Sequence, residues 1–418
     1  MSSAMMSLIL LIPLAWLALV TGVLLWYRRE LVALWREPVL RHPVLIIESD
    51  DWGAGPVEPQ ATALNRLVDV LTQYKDCTGR HPVMTLAVVL AVPDGPKIRA
   101  TGQYHRITLE DPMFAPVLAA IERGRKAGVF ALQLHGLEHY WPPALMASTD
   151  PAVRAWLEAD PPATTERLPA HLQSRWVDAS ILPSRPLSAE EIAQAVHEEV
   201  ELYTRIFGER PRVAVPPTFV WNEAVEAAWA REGIEVVVTP GLRSACRNAQ
   251  GLPDCDTGPL HNGQQGQGVT YVVRAEYFEP ERGHRPERAL AALAARTEQG
   301  RACLLETHRS NFLDVTRELA LQRLDALLAQ ATAAWPGLRF IDTAGLASAL
   351  RTGEPGWIET ALGGRLLVWR ARVLALPRLS RLYRLLGLDA CLNALLALVG
   401  RAWSNNGPMA KDSLERRV

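Results

Sequence analysis

The sequence predicts an α/β fold, a distorted (β/α) barrel preceded by an N-terminal transmembrane helix and followed by a C-terminal helical appendix. Three observations carry this. Apolar runs recur, and each ends in a polar corner: Val44–Ile47 before Glu48-Ser49-Asp50-Asp51, Val129–Leu132 before Gln133-Leu134-His135, and Ala302–Leu305 before Glu306-Thr307-His308. Such runs read as buried strands, and parallel α/β folds place their chemistry at strand ends. Segments of helical period stand between them, which suggests crossover helices on a parallel sheet. Finally, Leu8–Trp26 is an uncharged run of 19 residues, and Ile358–Trp403 holds 7 arginines and 2 acids among many leucines.

The chain has 418 residues, 49% hydrophobic and 21% charged, with a formal net charge of −1. That is long enough for one large barrel with appendages. A near-neutral balance argues against a nucleic-acid protein, which usually carries a basic excess. The 5 cysteines are odd in number and lack C-x-x-C spacing, against a disulfide scaffold or a zinc ribbon. Cys246 and Cys255 lie close enough to pair across a loop in an oxidising compartment.

Residues 1–29 read as the anchor. At about 1.5 Å per residue, Leu8–Trp26 just crosses a hydrocarbon core of about 30 Å. Trp26 and Tyr27 sit where an interfacial aromatic belt lies, and Arg28 and Arg29 follow. No basic residue precedes the run and no clear cleavage site follows it, which favours an uncleaved single-pass anchor over a signal peptide. Arg28, Arg29, Arg36 and Arg41 all follow the span. The positive-inside rule then places the remainder on the cytoplasmic side, in a bacterial setting that of the inner membrane.

The barrel is expected over residues 40–350. Ala61, Leu64, Leu67, Val68 and Leu71 give a helix within 59–74, and Val83–Leu90 a strand. Val117, Leu118 and Ile121 mark a helix over 112–126. Ala144–Pro186 is Pro-rich without a clear period and reads as an insertion over the active face. Ser188-Ala-Glu-Glu191 is a capping box opening a helix to about Phe207. Asn222 caps a helix over 223–232. Strands are expected at Ile234–Val238, Val269–Val273 and Leu338–Ile341, and helices over 286–299 and 317–335.

The chemistry sits at the polar corners. Asp50 and Asp51 are adjacent, so their side chains diverge; one can bind a metal while the other takes a proton. His135 and His139, four apart, can present two imidazoles to one cation. His308 ends the last of the three runs. Asp-Asp, His-x-x-x-His and a late lone His, in this order, resemble the polysaccharide deacetylase family, the NodB homology domain of family 4 carbohydrate esterases. The resemblance covers roughly Pro43 to Leu350. It implies the corresponding barrel, with Asp50 as general base, Asp51, His135 and His139 as metal ligands, and His308 as general acid.

Two family features are missing. Where the family has Arg-x-Pro-aromatic, this chain has Val213-Ala-Val-Pro216-Pro217-Thr-Phe-Val-Trp221, so the base-tuning arginine would have to come from Arg212 or Arg243. The aspartates that orient the acid are replaced by Thr239-Pro-Gly-Leu-Arg243. Glu306, two residues before His308 on one strand face, is the expected substitute. Trp52, Tyr140, Trp141, Pro217 and Trp221 are the candidates for substrate contact; Tyr140-Trp-Pro-Pro143 reads equally as a cleft wall or a packed loop.

These readings imply a metal-dependent hydrolase that removes an acetyl or other short acyl group from an amino sugar or sugar hydroxyl of a glycan or lipid-linked sugar. They call for one divalent ion, zinc by ligand type. The alternative is a catalytically inactive membrane-tethered glycan-binding protein of the same fold, favoured by the missing arginine and aspartates. A non-haem iron oxygenase would carry His-x-Asp on a β sandwich. A zinc protease would carry His-Glu-x-x-His, which His135-Gly-Leu-Glu-His139 is not. In the appendix, residues 356–418, Arg378, Arg381 and Arg384 share one helical face while Leu379, Leu382, Leu385 and Leu386 cover another, and Leu388–Val399 is more apolar. That pattern suits a membrane surface, or else a helical hairpin packed on the barrel.

Overall fold

The computed structural model describes residues 3–255 and 258–388. The chain forms two compact units. One comprises residues 42–297 and 302–353; the other comprises 1–41, 298–301 and 354–418. The two ends of the chain, expected to form separate appendages, thus belong to one unit.

The first unit is built on a nine-stranded sheet. Its strands are β1 (Val44–Gly53), β2 (Met84–Val89), β3 (Phe130–Leu134), β4 (Val213–Ala214), β5 (Val236–Thr239), β6 (Thr270–Val273), β7 (Glu276–Tyr277), β8 (Cys303–His308) and β9 (Arg339–Phe340). Their order is β6-β5-β4-β3-β2-β1-β8-β7, with β9 also on β1, and every pairing is parallel. Such a sheet with helices between its strands fits a distorted barrel.

The sheet's two edges are consecutive in the chain. β6 pairs with β5, and three residues past Val273 the chain pairs with β8 instead. Across the switch, the Arg274 N–H donates to the Thr239 carbonyl and the Ala275 N–H to the Leu304 carbonyl, both at 2.9 Å. Arg274 therefore lies where the two edges meet.

The helices form where the apolar periods are. Val57–Leu71 buries Ala63, Leu64, Leu67, Val68 and Leu71. Ser188 and Glu191 make both bonds of the capping box that opens Ala189–Phe207. Asn222 accepts from the N–H groups of Ala224 and Val225 at the start of Glu223–Arg231. The insertion over 144–186 is more ordered than its composition suggests. It holds the helix Pro151–Leu157 and a hairpin of Val177–Asp178 with Arg185–Pro186, around a core including Leu145, Trp156, Leu172 and Val177. Its prolines cap and turn short elements rather than leaving the chain irregular.

The second unit contains the helices Ser3–Trp26, Arg28–Arg36, Leu362–Leu374 and Pro377–Leu385. Leu34, Val373, Leu379 and Tyr383 form its core, so the C-terminal helices pack on Arg28–Arg36, a partner the sequence reading did not consider. Arg378, Arg381 and Arg384 are exposed, as is Leu385, while Leu386 is buried. Among the described residues no single helix is long and apolar enough to cross a membrane; Leu11–Trp26 and Arg28–Arg36, bent by 65°, pass that test only as a pair. Of the apolar run Leu388–Val399, everything after Leu388 lies outside the described residues.

Candidate active site

β1 carries both aspartates within the strand. Its register with β2 shifts between Ser49 and Trp52, and Asp51 has a positive φ of 71°. That backbone state is uncommon for a side chain larger than glycine and marks a constrained site. It turns Asp51 away from Asp50. Gly53 closes the corner with φ of 106°, and a Cβ there would come within 2.5 Å of the Val89 carbonyl oxygen.

Asp51 meets the two predicted histidines. Its Oδ1 is 3.5 Å from His135 Nε2 and 3.5 Å from His139 Nε2. The three side chains are buried, and their donor atoms form one potential metal-binding group. Ligands held at about 2.1 Å around a tetrahedral ion lie about 3.4 Å apart, so the spacing fits such an ion. Two atoms here are buried without any hydrogen-bond partner, Asp51 Oδ1 and His139 Nδ1. The His135 ring is oriented by Nδ1, which lies 2.9 Å from the Val215 carbonyl. With Nδ1 donating, Nε2 keeps the lone pair for a metal. Val215 thus does use the Val213–Pro217 stretch for the site, but through its backbone.

Burial pulls the His139 imidazole down to about 4. His135 goes the other way: burial works to lower it, but Asp50 and Asp51 raise it above its ordinary value. Burial works to raise the Asp51 carboxyl, yet the charges of His139 and His135 hold it well below the usual carboxylate range.

Asp50 faces a separate cluster, round Arg274. The guanidinium donates to both oxygens of Asp50, at 2.7 Å each, and through Nε to Glu48 at 2.7 Å. Glu306 lies 3.2 Å from Nη1. Burial works to raise the Asp50 carboxyl, but Arg274 brings it below its ordinary value; Glu48 and Glu306 are raised, burial outweighing the same arginine. The arginine missing from the proline motif is therefore supplied from the end of β6. Arg212 and Arg243, the expected replacements, pair with Glu235 and with Glu223 and Glu226.

His308 ends β8, opposite Asp50 in the β1 register. Its Nδ1 is 2.6 Å from Glu279 Oε1, and Asn311 holds the other Glu279 oxygen. Glu306, expected to orient this ring, is 3.9 Å from Nε2 and lies with Arg274 instead. Same-face neighbours on a strand stand side by side, so Nδ1 is reached from the loop beyond β7. Burial works against a charged imidazole, but the Glu279 bond and the charges of Asp51 and Asp50 push His308 up to about 10.

Five buried carboxylates thus converge here, Glu48, Asp50, Asp51, Glu279 and Glu306. Four of them pair with Arg274 or His308. Buried charge in such excess is costly without compensation, and a divalent ion at Asp51, His135 and His139 would supply it. Asp50, Glu306 and His308 also lie close together, but Arg274 already occupies the space between their carboxylates.

The aromatic candidates divide. Trp52 has no exposed surface, donates to Ser49 Oγ at 2.8 Å and stacks on Phe312. Trp221 is equally buried and donates to Glu226 at 2.8 Å. Tyr140 is buried with its hydroxyl 2.9 Å from that of Tyr104, and Pro217 is buried as well. These four, expected to touch substrate, are packed against other side chains of the protein. Trp141 alone of the set is half-buried.

The family described as Glycosyl hydrolase family 57 matches residues 178–277. No curated protein matches the chain. Solved structures it is similar to include a peptidoglycan deacetylase from Bacillus subtilis, at 13% identity over 75% of this chain and 94% of that one, with a TM-score of 0.33. Another is a family 4 carbohydrate esterase from Streptomyces lividans in complex with acetate, at 12% identity over 76% and 97%, with a TM-score of 0.35. A 4-alpha-glucanotransferase from Thermococcus litoralis aligns at 11% identity over 73% of this chain and 40% of that one, with a TM-score of 0.38.

Proposed function

We propose that this chain is a metal-dependent hydrolase that removes an acetyl or other short acyl group from an amino sugar or sugar hydroxyl. The observation that carries the reading is Asp51 Oδ1 standing 3.5 Å from two imidazole nitrogens, with Asp50 and His308 alongside. When bound at Asp51, His135 and His139, a divalent ion, zinc by donor type, supplies Lewis-acid polarisation of the acyl carbonyl. Asp50, kept ionised by Arg274, takes the proton of the attacking water. His308, held cationic by Glu279, returns a proton to the leaving nitrogen or oxygen.

Arg274 and Glu279 weigh against the inactive binding protein, because that reading rested on the lack of an arginine on the base and a carboxylate on the acid. Glycoside hydrolysis, the chemistry in the name of the matching family, needs two carboxylates across the scissile bond. The fully buried carboxylates of the matched segment, Glu199 and Glu226, are instead tied to Arg175 and Trp229 and to Arg243 and Trp221. Acetate release from N-acetylated and O-acetylated glycans tests the reading. Asp50→Asn and His308→Ala should each lose about 10²–10⁴-fold in kcat; near-normal turnover in either variant removes that residue from the mechanism.

Our reading extends to a membrane-proximal substrate. Leu11, Ile12, Leu14, Leu17, Leu19, Leu25 and Trp26 are exposed along one helix, and the arginines of Pro377–Leu385 face outward. An apolar anchor and a basic face suit an anionic bilayer, each basic residue adding about 1 kcal/mol. The arginines following the first helix favour a cytoplasmic site. A chain beginning at Glu30 should still sediment with anionic vesicles at low salt; its remaining in the supernatant would remove the second contact.

A further inference from the structure

Arg309 follows the acid His308 directly. Its side chain is 3% exposed. The other arginines buried in this unit are well partnered: Arg274 by three carboxylates, Arg175 by Glu138 and Glu199, Arg243 by Glu223 and Glu226, and Arg247 by Ser174, Thr218 and the Gly251 carbonyl. Arg309 has one long hydrogen bond, 3.4 Å from Nη1 to the Ala54 carbonyl, and its Nε has no hydrogen-bond partner. Among the described residues, the carboxylate that pairs with it is that of Glu166, 3.9 Å from Nε and beyond hydrogen-bond reach.

Gly55, four residues after Asp51, packs directly against this guanidinium: a Cβ there would come within 2.6 Å of Nη1, so only glycine allows the approach. Glu166 comes from the insertion, on the turn Thr165–Arg167, which has no buried residue. A counter-ion on so loosely packed a turn is readily displaced. A buried charge with donors unmet is costly, and a guanidinium fork matches the oxygens of a carboxylate or phosphate.

We infer that Arg309 is a subsite for an anionic oxygen group on the substrate, a carboxylate or a phosphate, and that Glu166 is the counter-ion the group displaces. The inference rests on the hydrolase reading and narrows it to acidic glycans or sugars carried on phosphate.

The test pairs a neutral N-acetylated sugar with its uronate and its sugar phosphate, in the full-length enzyme. The native chain should favour one acidic partner in kcat/KM, and Arg309→Gln should cut that preference roughly 10–100-fold, chiefly through KM. Arg309→Lys should restore part of it, and Glu166→Gln should lower KM for the acidic substrate. The two acidic arms separate carboxylate from phosphate. Equal losses on neutral and acidic substrates in Arg309→Gln would make the residue merely structural and overturn the inference. Calorimetric titration with the sugar phosphate and the uronate keeps the two claims apart. Arg309-dependent binding without turnover would support the subsite and sink the hydrolase; turnover without any acidic preference would do the reverse.

Discussion

Two arginines, one in each unit, are buried almost equally and do different work. Arg274 faces carboxylates; Arg372 faces carbonyls. Arg372 donates to the carbonyls of Gln299, Leu34, Glu37 and Pro38 at 2.8 to 3.0 Å, with Gly300 at 3.4 Å. It ties the end of Arg28–Arg36 to residues 299–300, where the last-turn carbonyls would otherwise lack donors. Burial brings this guanidinium down to about 10, with Glu37 opposing at 3.8 Å. Arg274 is also disfavoured by burial, but Asp50, Glu306 and Glu48 raise it well above its ordinary value. Dipoles brace a backbone. Charges set the ionisation of a neighbour, and only Arg274 has a neighbour whose proton matters.

Breaking Arg274 should have the largest effect. Arg274→Met leaves three buried carboxylates round an apolar side chain, and removing one partner of such a cluster costs about 3–5 kcal/mol. Chemical denaturation should show that loss for the first unit, together with a fall in kcat. A variant of native stability and rate would mean Asp50 is tuned by something else.

Arg372→Met should cost less, about 1–3 kcal/mol for carbonyls left unmet. Hydrogen exchange should rise at Arg28–Arg36 and at residues 298–301, while the kcat of the acyl hydrolysis stays near native. A kcat loss matching that of Arg274→Met would erase the distinction.

The smallest effect is a shift in pH dependence. His308 is raised to about 10, first against burial and then by Glu279. In the proposed mechanism its cation is the active form, so activity is present below that pKa and lost as pH rises through it. Glu279→Gln removes the strongest raising influence, and the alkaline limb should move to lower pH. An unmoved limb in a pH–rate profile would detach Glu279 from the acid.

How much was legible in the sequence follows from how local each role is. Asp50, Asp51, His135, His139 and His308 end long apolar runs, and their order could be read directly. Arg274 also ends one, Val269–Val273, and the strand-end rule applied to that run would have found it. It was missed because the arginine was sought beside the prolines, and because only the closing of the sheet through β6 and β7 brings Arg274 to β1. Glu279 gave less signal: it lies on a loop 29 residues before His308 and meets it through tertiary folding alone. The aromatics were ambiguous for a physical reason. Trp52 and Trp221 are large and apolar with one polar tip, which suits a packed wall with a single internal acceptor as well as it suits a sugar.

The central claim is that Asp51, His135 and His139 hold one divalent ion between the base and the acid. Elemental analysis of the purified protein beside Asp51→Ala tests it most directly. The account predicts about one equivalent in the native chain, zinc foremost, and a large loss in the variant; equal metal content in the two proteins would contradict it.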